Sequence, residues 1–378
     1  MILKLYDYFN LQIATAKGVY IYSEKGGKYL DSFAGIGVLS FGHSNDSLIH
    51  IMQRKMERYM HISNFFLDED AEYVARKLVH FTRKEGAVFF TNSGAEATEA
   101  ALKAIKKIST NKKNKIIYFK NGFHGRTLGA LSINGFEKLK FPFRPLLPHC
   151  KEFIFNDIGG FDDYMKYHGN EVVAVFVEPI QGSGGVLPLT DEFAEILNKH
   201  HKEKKFILVC DEIQAGLGRT GKIFSYEHFN LNPDIITVGK SLGGGLPLGA
   251  TIFLNETINI LKPGDHGSTF APNPIALAGA KYILENIPTL LTDISKKGQY
   301  IIKKIEDINS LKIVDIRGKG LMIGIELDDS YPNLRDKAFQ KGLLLNVISN
   351  NTVIRLLPAL NISYNEIDEI IKILEELL

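Results

Sequence analysis

The stretch IITVGKSLGGGLPLGA, Ile235 to Ala250, ends an apolar run in a single lysine and sets three glycines, Gly243 to Gly245, beside it. Ile235 to Val238 is β-branched and carries no polar alternation, the mark of a strand covered on both faces. Lys240 then falls at the carboxyl end of that strand, where open α/β sheets hold their ligands. The glycines remove side chains from the backbone next to it, so something bulky is expected to come close there.

Other runs of the same kind lie on either side. GAVFF (86–90) leads into the helical pattern AEATEAALKAIKKI (95–108), and KIIYF (115–119), EVVAVFVEP (171–179) and KFILVCDE (205–212) follow. Strand and helix in repetition predict an α/β fold with a large, mostly parallel sheet, here over residues 46–274. After STFAPNP (268–274) two helical patterns, IALAGAKYILENI and GQYIIKKIEDI, precede KIVDIRGKGLMIGIEL, which reads as a half-exposed strand pair. Residues 275–378 are therefore expected to form a smaller α+β domain. VYIYSEKGGKYLDSFAG, with a turn at Lys25-Gly26-Gly27, predicts that residues 1–45 join it.

Composition narrows the function. A chain of 378 residues, 45% of them hydrophobic, can bury large cores. Lys and Arg number 45 against 43 Asp and Glu, a net +2 that favours neither nucleic acid nor an anionic membrane. Cys150 and Cys210 lack CxxC spacing, which excludes a disulfide scaffold and a structural zinc site. No stretch approaches a membrane span. The expectation is a cytoplasmic protein whose partner is a small molecule or a second copy of itself.

The residues after each apolar run form a set. Asn92, Ser93, Gly94 and Ala95 turn the chain into a helix whose first amides are unpaired, an anion cradle. NGFHGRT exposes Phe123, His124 and Arg126, and Glu178, Asp211 and Lys240 end three further runs. Taken singly, each has a structural reading: a capping box at Ser93 and Glu96, a core phenylalanine, a satisfied histidine, an Arg126–Glu178 salt bridge, a helix cap at Asp211. Together, an aromatic plate, a buried acid, a strand-end lysine and a phosphate cradle are what pyridoxal 5′-phosphate requires, with Lys240 forming the imine and Gly243 to Gly245 letting backbone approach the planar cofactor.

TNSGAEATEAA, FHGRTLGALS, VEPIQGSGG, DEIQAGLGRTGK, KSLGGGLPLGA, HGSTF and IRLLPAL resemble, in order and across the whole chain, the motifs of class-III aminotransferases, most closely the acetylornithine type. The resemblance implies a fold-type I pyridoxal phosphate enzyme and a homodimer with shared active sites. It implies transfer of an amino group between N-acetylornithine and 2-oxoglutarate, giving glutamate, in arginine biosynthesis; succinylornithine, ornithine or 4-aminobutyrate are the alternative donors. Residue by residue, it assigns cofactor attachment to Lys240 and the ring-nitrogen partner to Asp211. Ser93, Gly94 and Ala95 become the phosphate turn, Phe123 the plate on the ring, and Gln214 the partner of its phenolic oxygen, with His124 and Glu178 also at the cofactor. Thr269 would reach the neighbouring subunit's phosphate, with Ser268 beside it at the substrate. Arg126 would hold the α-carboxylate of acetylornithine or the distal carboxylate of glutamate, and Arg355 the glutamate α-carboxylate.

Two positions depart from the family pattern. EPIQGS has Ser183 where relatives commonly carry a glutamate that pairs with the arginine at position 355. Ile36 stands where ornithine-specific members place a tyrosine, which favours an acylated donor. Rival readings are weaker. GKS at Gly239 lacks the earlier glycine of a phosphate loop, since Asp234 occupies its place, and GKSLG, which would make Ser241 a hydrolase nucleophile, does not open into a helix. No metal site is expected: His200 and His201 are adjacent, without HExxH spacing, and read as an exposed helix end.

Overall fold

The computed structural model describes residues 2–378. Seven strands form its main sheet, in the order Gly86–Thr91, Gly249–Leu254, Ile235–Val238, Ile207–Asp211, Val172–Val177, Lys115–Phe119 and Cys150–Phe153. Only Gly249–Leu254 runs against its neighbours; the other pairings are parallel. All six residues of Val172–Val177 are buried, as an uninterrupted apolar run predicts for a strand covered on both faces.

Helix Gly94–Ile108 covers part of one face through Ala97, Ala100, Ala101 and Ala104, whose small side chains let the helix lie close to the strands. Thr251 Oγ1 donates to the Ala97 carbonyl at 2.8 Å, a measure of that proximity.

Two smaller sheets flank this body. Ile13–Lys17, Tyr20–Ser23 and Lys28–Asp31 form an antiparallel meander closed by a parallel partner, Leu343–Leu344, with Leu30 opposite Leu343. Ile313–Lys319, Met322–Leu327, Val353–Leu356 and Asn346–Ile348 form an antiparallel sheet.

Three expectations change. The two helical patterns after Pro274 are one helix of 34 residues, Pro274–Asp307, running through Pro288. An interior proline costs about 3 kcal/mol, which the burial of Ile283, Leu284, Ile287, Ile294, Ile301 and Ile305 along the same helix offsets. The glycines beside Lys240 serve the chain's own packing. Gly244 and Gly245 have φ of +62° and +108°, and a Cβ on Gly244 would lie 3.0 Å from Leu48 Cδ2 of helix Asp46–Arg58. A Cβ on Gly279 would lie 2.9 Å from the Gly243 carbonyl oxygen, so helix Pro274–Asp307 presses on the same turn. The bulky neighbour that the glycines admit is therefore protein. Lastly, His200 is not exposed: it is buried in helix Asp191–Lys204 with Nε2 2.7 Å from Asp162 Oδ1, while half-buried His201 meets Asp234 at 2.8 Å. Each imidazole has a carboxylate partner, which removes the need to face water. Among the described residues no helix is long and apolar enough to cross a membrane.

Candidate active site

Parallel strands bring their carboxyl ends to one edge, and Asn92 to Ala95, the Phe123 loop, Glu178, Asp211 and Lys240 are all delivered there. His124 Nδ1 lies 2.6 Å from Asp211 Oδ2 with both side chains buried. Asp211 Oδ1 accepts the Ile213 amide at 3.1 Å. Burial opposes a charged imidazole, yet the bond to Asp211 prevails and raises the His124 pKa above its ordinary value. Asp211 is thereby braced as an acceptor on a buried carboxylate.

Glu178 organises the loop above it. Its Oε2 accepts the Phe123 amide at 2.7 Å and its Oε1 the Gly182 amide at 3.2 Å. Burial pushes its carboxyl up to about 7, against the opposing pull of His124. Phe123 is half-buried, and the guanidinium carbon of exposed Arg126 stands 5.6 Å from its ring centroid. Arg126 has no ion-pair partner among the described residues.

Lys240 has φ +46°, a left-handed conformation that a side-chain-bearing residue adopts at a cost and that concentrates at functional positions. Its Nζ makes no hydrogen bond or ion pair among the described residues. Burial, and then the Arg355 guanidinium, lower its pKa to about 8, while Asp211 and Glu178 pull the other way. The result is an amine poised between base and acid near neutral pH.

At the start of helix Gly94–Ile108, Ser93 Oγ accepts the Glu96 amide at 3.2 Å and Glu96 Oε2 accepts both the amide and Nδ2 of Asn92. The Gly94 and Ala95 amides donate to no protein acceptor among the described residues. A Cβ on Gly94 would sit 2.8 Å from Ile213, so the cradle needs glycine there. Asn92 Nδ2 also donates to Ser268 Oγ at 3.0 Å, and Asn64 Nδ2 to the Ser268 carbonyl at 2.6 Å. Thr269, the next residue, is exposed and bonded to nothing among the described residues.

Arg355 enters from the smaller sheet. It is buried, donates from Nε to Asn346 Oδ1 at 2.9 Å and from Nη1 to Gln214 Oε1 at 3.1 Å, and burial lowers its pKa to about 10. With its oxygen committed to Arg355, the Gln214 amide keeps Nε2 as a free donor. Gly182 touches the same amide: a Cβ there would overlap Gln214 Oε1. Ser183 is half-buried and makes no side-chain hydrogen bond among the described residues. Ile36 is 40% exposed at φ +65°, in a left-handed turn that Asp31 braces by accepting the Phe33 and Ala34 amides.

This donor set fits pyridoxal phosphate. Two free helix-start amides suit its phosphate, the braced Asp211 its ring nitrogen, and the unpaired Lys240 amine its aldehyde. The sequence reading missed Asn346. It lies nine residues before Arg355, across Ser349 to Asn351, and no motif or spacing marks it in the sequence.

Comparison with known proteins agrees with this geometry. A family model, Aminotransferase class-III, matches residues 4–378. The acetylornithine aminotransferase of Aquifex aeolicus is 40% identical over 371 residues, 97% of each chain. Among solved structures, the N-acetylornithine aminotransferase of Stenotrophomonas maltophilia superposes with a TM-score of 0.84 at 29% identity, covering 98% of this chain and 95% of that one. An ornithine aminotransferase from Toxoplasma gondii, described with partial occupancy of PLP at its active site, gives 0.90 at 29% identity, covering 98% and 90%.

Proposed function

The chain belongs to the class-III aminotransferases, pyridoxal 5′-phosphate enzymes, and we propose that it moves an amino group between N-acetylornithine and 2-oxoglutarate, giving N-acetylglutamate 5-semialdehyde and glutamate, or the reverse, in arginine biosynthesis. The names of its relatives support this reading. One observation carries it: the unpaired Lys240 amine and the Arg355 guanidinium are buried near each other, Arg126 stands over the Phe123 ring, and among the described residues neither arginine has a carboxylate partner. Such a site accepts a substrate with one carboxylate and, in turn, one with two.

The bound cofactor supplies an electrophilic carbonyl and a ring that accepts electrons when a proton leaves the amine-bearing carbon. Lys240 removes that proton and returns it, a task its depressed pKa suits. Asp211, braced by His124, stabilises positive charge at the ring nitrogen. Ser93, Gly94 and Ala95 would hold the phosphate and Phe123 would cover the ring face, its backbone fixed by Glu178. Gln214 would donate from Nε2 to the ring oxygen. Arg126 and Arg355 orient the carboxylates.

We further infer a cytoplasmic homodimer in which Thr269 reaches the neighbouring subunit's phosphate, with Ser268 beside it at the substrate. Phe65, Phe66 and Phe270 are 94%, 70% and 66% exposed beside the Asn64–Ser268 contact, an apolar surface suited to a second copy. On the same reading, residues 46–274 form the cofactor-holding body and residues 1–45 with 275–378 the smaller unit.

The test is a panel of half-reactions. N-acetylornithine, succinylornithine, ornithine and 4-aminobutyrate are each mixed with the purified enzyme carrying its cofactor, and loss of the bound cofactor's absorbance is followed. N-acetylornithine should react with the highest efficiency; a lead for ornithine or 4-aminobutyrate would refute the substrate assignment.

A further inference from the structure

Asn346 and Arg355 stand directly opposite each other across the antiparallel strands Asn346–Ile348 and Val353–Leu356. Strand register fixes that pair, because cross-strand neighbours share one face at side-chain contact distance. On its other flank Arg355 faces Gly324, which offers no side chain; a Cβ there would lie 2.9 Å from the Gly185 carbonyl oxygen. The guanidinium thus has two protein acceptors, Asn346 Oδ1 at 2.9 Å and Gln214 Oε1 at 3.1 Å, and both are neutral amides. Its Nη2 has none among the described residues, and no carboxylate oxygen lies within 4.0 Å of it.

A buried guanidinium ordinarily meets a carboxylate, since a charge-assisted fork offsets the loss of water. An amide oxygen gives direction without neutralising charge. We propose that Asn346 is a specificity-determining positioning residue: it aims Arg355 yet leaves its charge uncommitted, so that the α-carboxylate of glutamate or 2-oxoglutarate meets no resident anion. This rests on the substrate reading above and extends it to a residue outside the seven motifs. It also explains how the site works with Ser183 where an acid is common. The arginine is held by amides, and no ion pair must break before a dicarboxylate binds.

The position can be tested at nearly constant shape, because aspartate has the skeleton of asparagine. Glutarate, a dicarboxylate without an amino group, is titrated calorimetrically into the cofactor-loaded wild type, Asn346→Asp and Asn346→Ala. Asn346→Asp should weaken glutarate roughly tenfold or more, the scale of one charge-assisted contact, and Asn346→Ala by less than about threefold. In the same variants kcat/KM for glutamate should fall in the same order as glutarate affinity. Equal weakening by Asp and Ala would show a merely structural role, and unchanged glutarate affinity in Asn346→Asp would overturn the proposal. The binding comparison involves no turnover, so it stands or falls separately from the choice of amine donor.

Discussion

Buried His124 and Asp211, at the ends of two different strands, meet at 2.6 Å. The histidine is the brace and the carboxylate the working group, so their variants should differ. Asp211→Asn removes the charge that faces the cofactor and should lower the single-turnover rate by about a hundredfold or more. His124→Gln keeps a polar neighbour and should cost only about tenfold. Equal losses would move the electrostatic role onto the imidazole.

Lys240→Ala should abolish transamination while the folded protein still binds cofactor through the amides of Gly94 and Ala95. Borohydride reduction of the wild type, followed by peptide mapping, should find the pyridoxyl label on Lys240. A label on another lysine would contradict the assignment.

The Lys240 amine, with its pKa lowered from 10.5 to about 8, is neutral and nucleophilic above about pH 8. Reconstitution of the apoenzyme with pyridoxal phosphate should therefore accelerate with rising pH and level off with a midpoint near 8. Linkage carries the same sign into stability. Between about pH 8 and 10.5 the unfolded chain binds this proton and the folded apoenzyme does not, so the contribution of Lys240 to stability grows as pH rises through that window. A reconstitution midpoint near 10 would mean an ordinary, solvated lysine.

Arg126 is exposed and, among the described residues, without an ion-pair partner, so its removal should leave the fold intact. Arg126→Leu should cost on the order of 1.5–3 kcal/mol in kcat/KM for amines that carry the carboxylate it holds. Amines lacking that carboxylate should be almost unaffected. If they lose as much, Arg126 supports the Phe123 loop and does not bind substrate.

Gly244→Ala separates packing from cofactor approach. The new Cβ would sit at φ +62° and 3.0 Å from Leu48 Cδ2, which should destabilise the protein by about 1–2 kcal/mol in a denaturant titration. Cofactor content of the folded variant should match wild type. Cofactor loss without destabilisation would restore the idea that the glycines border the ligand.

Most of the site was legible because it lies at the ends of buried strands. There an uninterrupted apolar run such as Val172–Val177 announces itself, and the next polar residue, Glu178, is placed at the sheet edge by topology alone. The Asn346–Arg355 pair was not legible. Its register is set by three successive left-handed residues, Ser349, Asn350 and Asn351 at φ +53°, +58° and +67°, and no spacing rule predicts such a turn. The run through Pro288 was missed because local propensity stops a helix there, whereas the tertiary contacts of Ile287 and Ile294 carry it on. The three glycines were read as room for the cofactor, whereas Leu48, Leu39 and helix Pro274–Asp307 take that room, because composition cannot say whether ligand or protein does the approaching.

The Ser32 hydroxyl donates to the Leu344 carbonyl at 2.7 Å across 312 positions of chain, next to the pairing of Leu30 with Leu343. During synthesis the meander Ile13–Asp31 emerges long before its fourth strand, Leu343–Leu344. Closing so long a loop is entropically slow. Until then the Lys28–Asp31 edge stands open, with buried-type residues such as Leu30 exposed to other nascent chains. A chain interrupted before Leu343 is thus left with an unpaired, aggregation-prone edge at Lys28–Asp31.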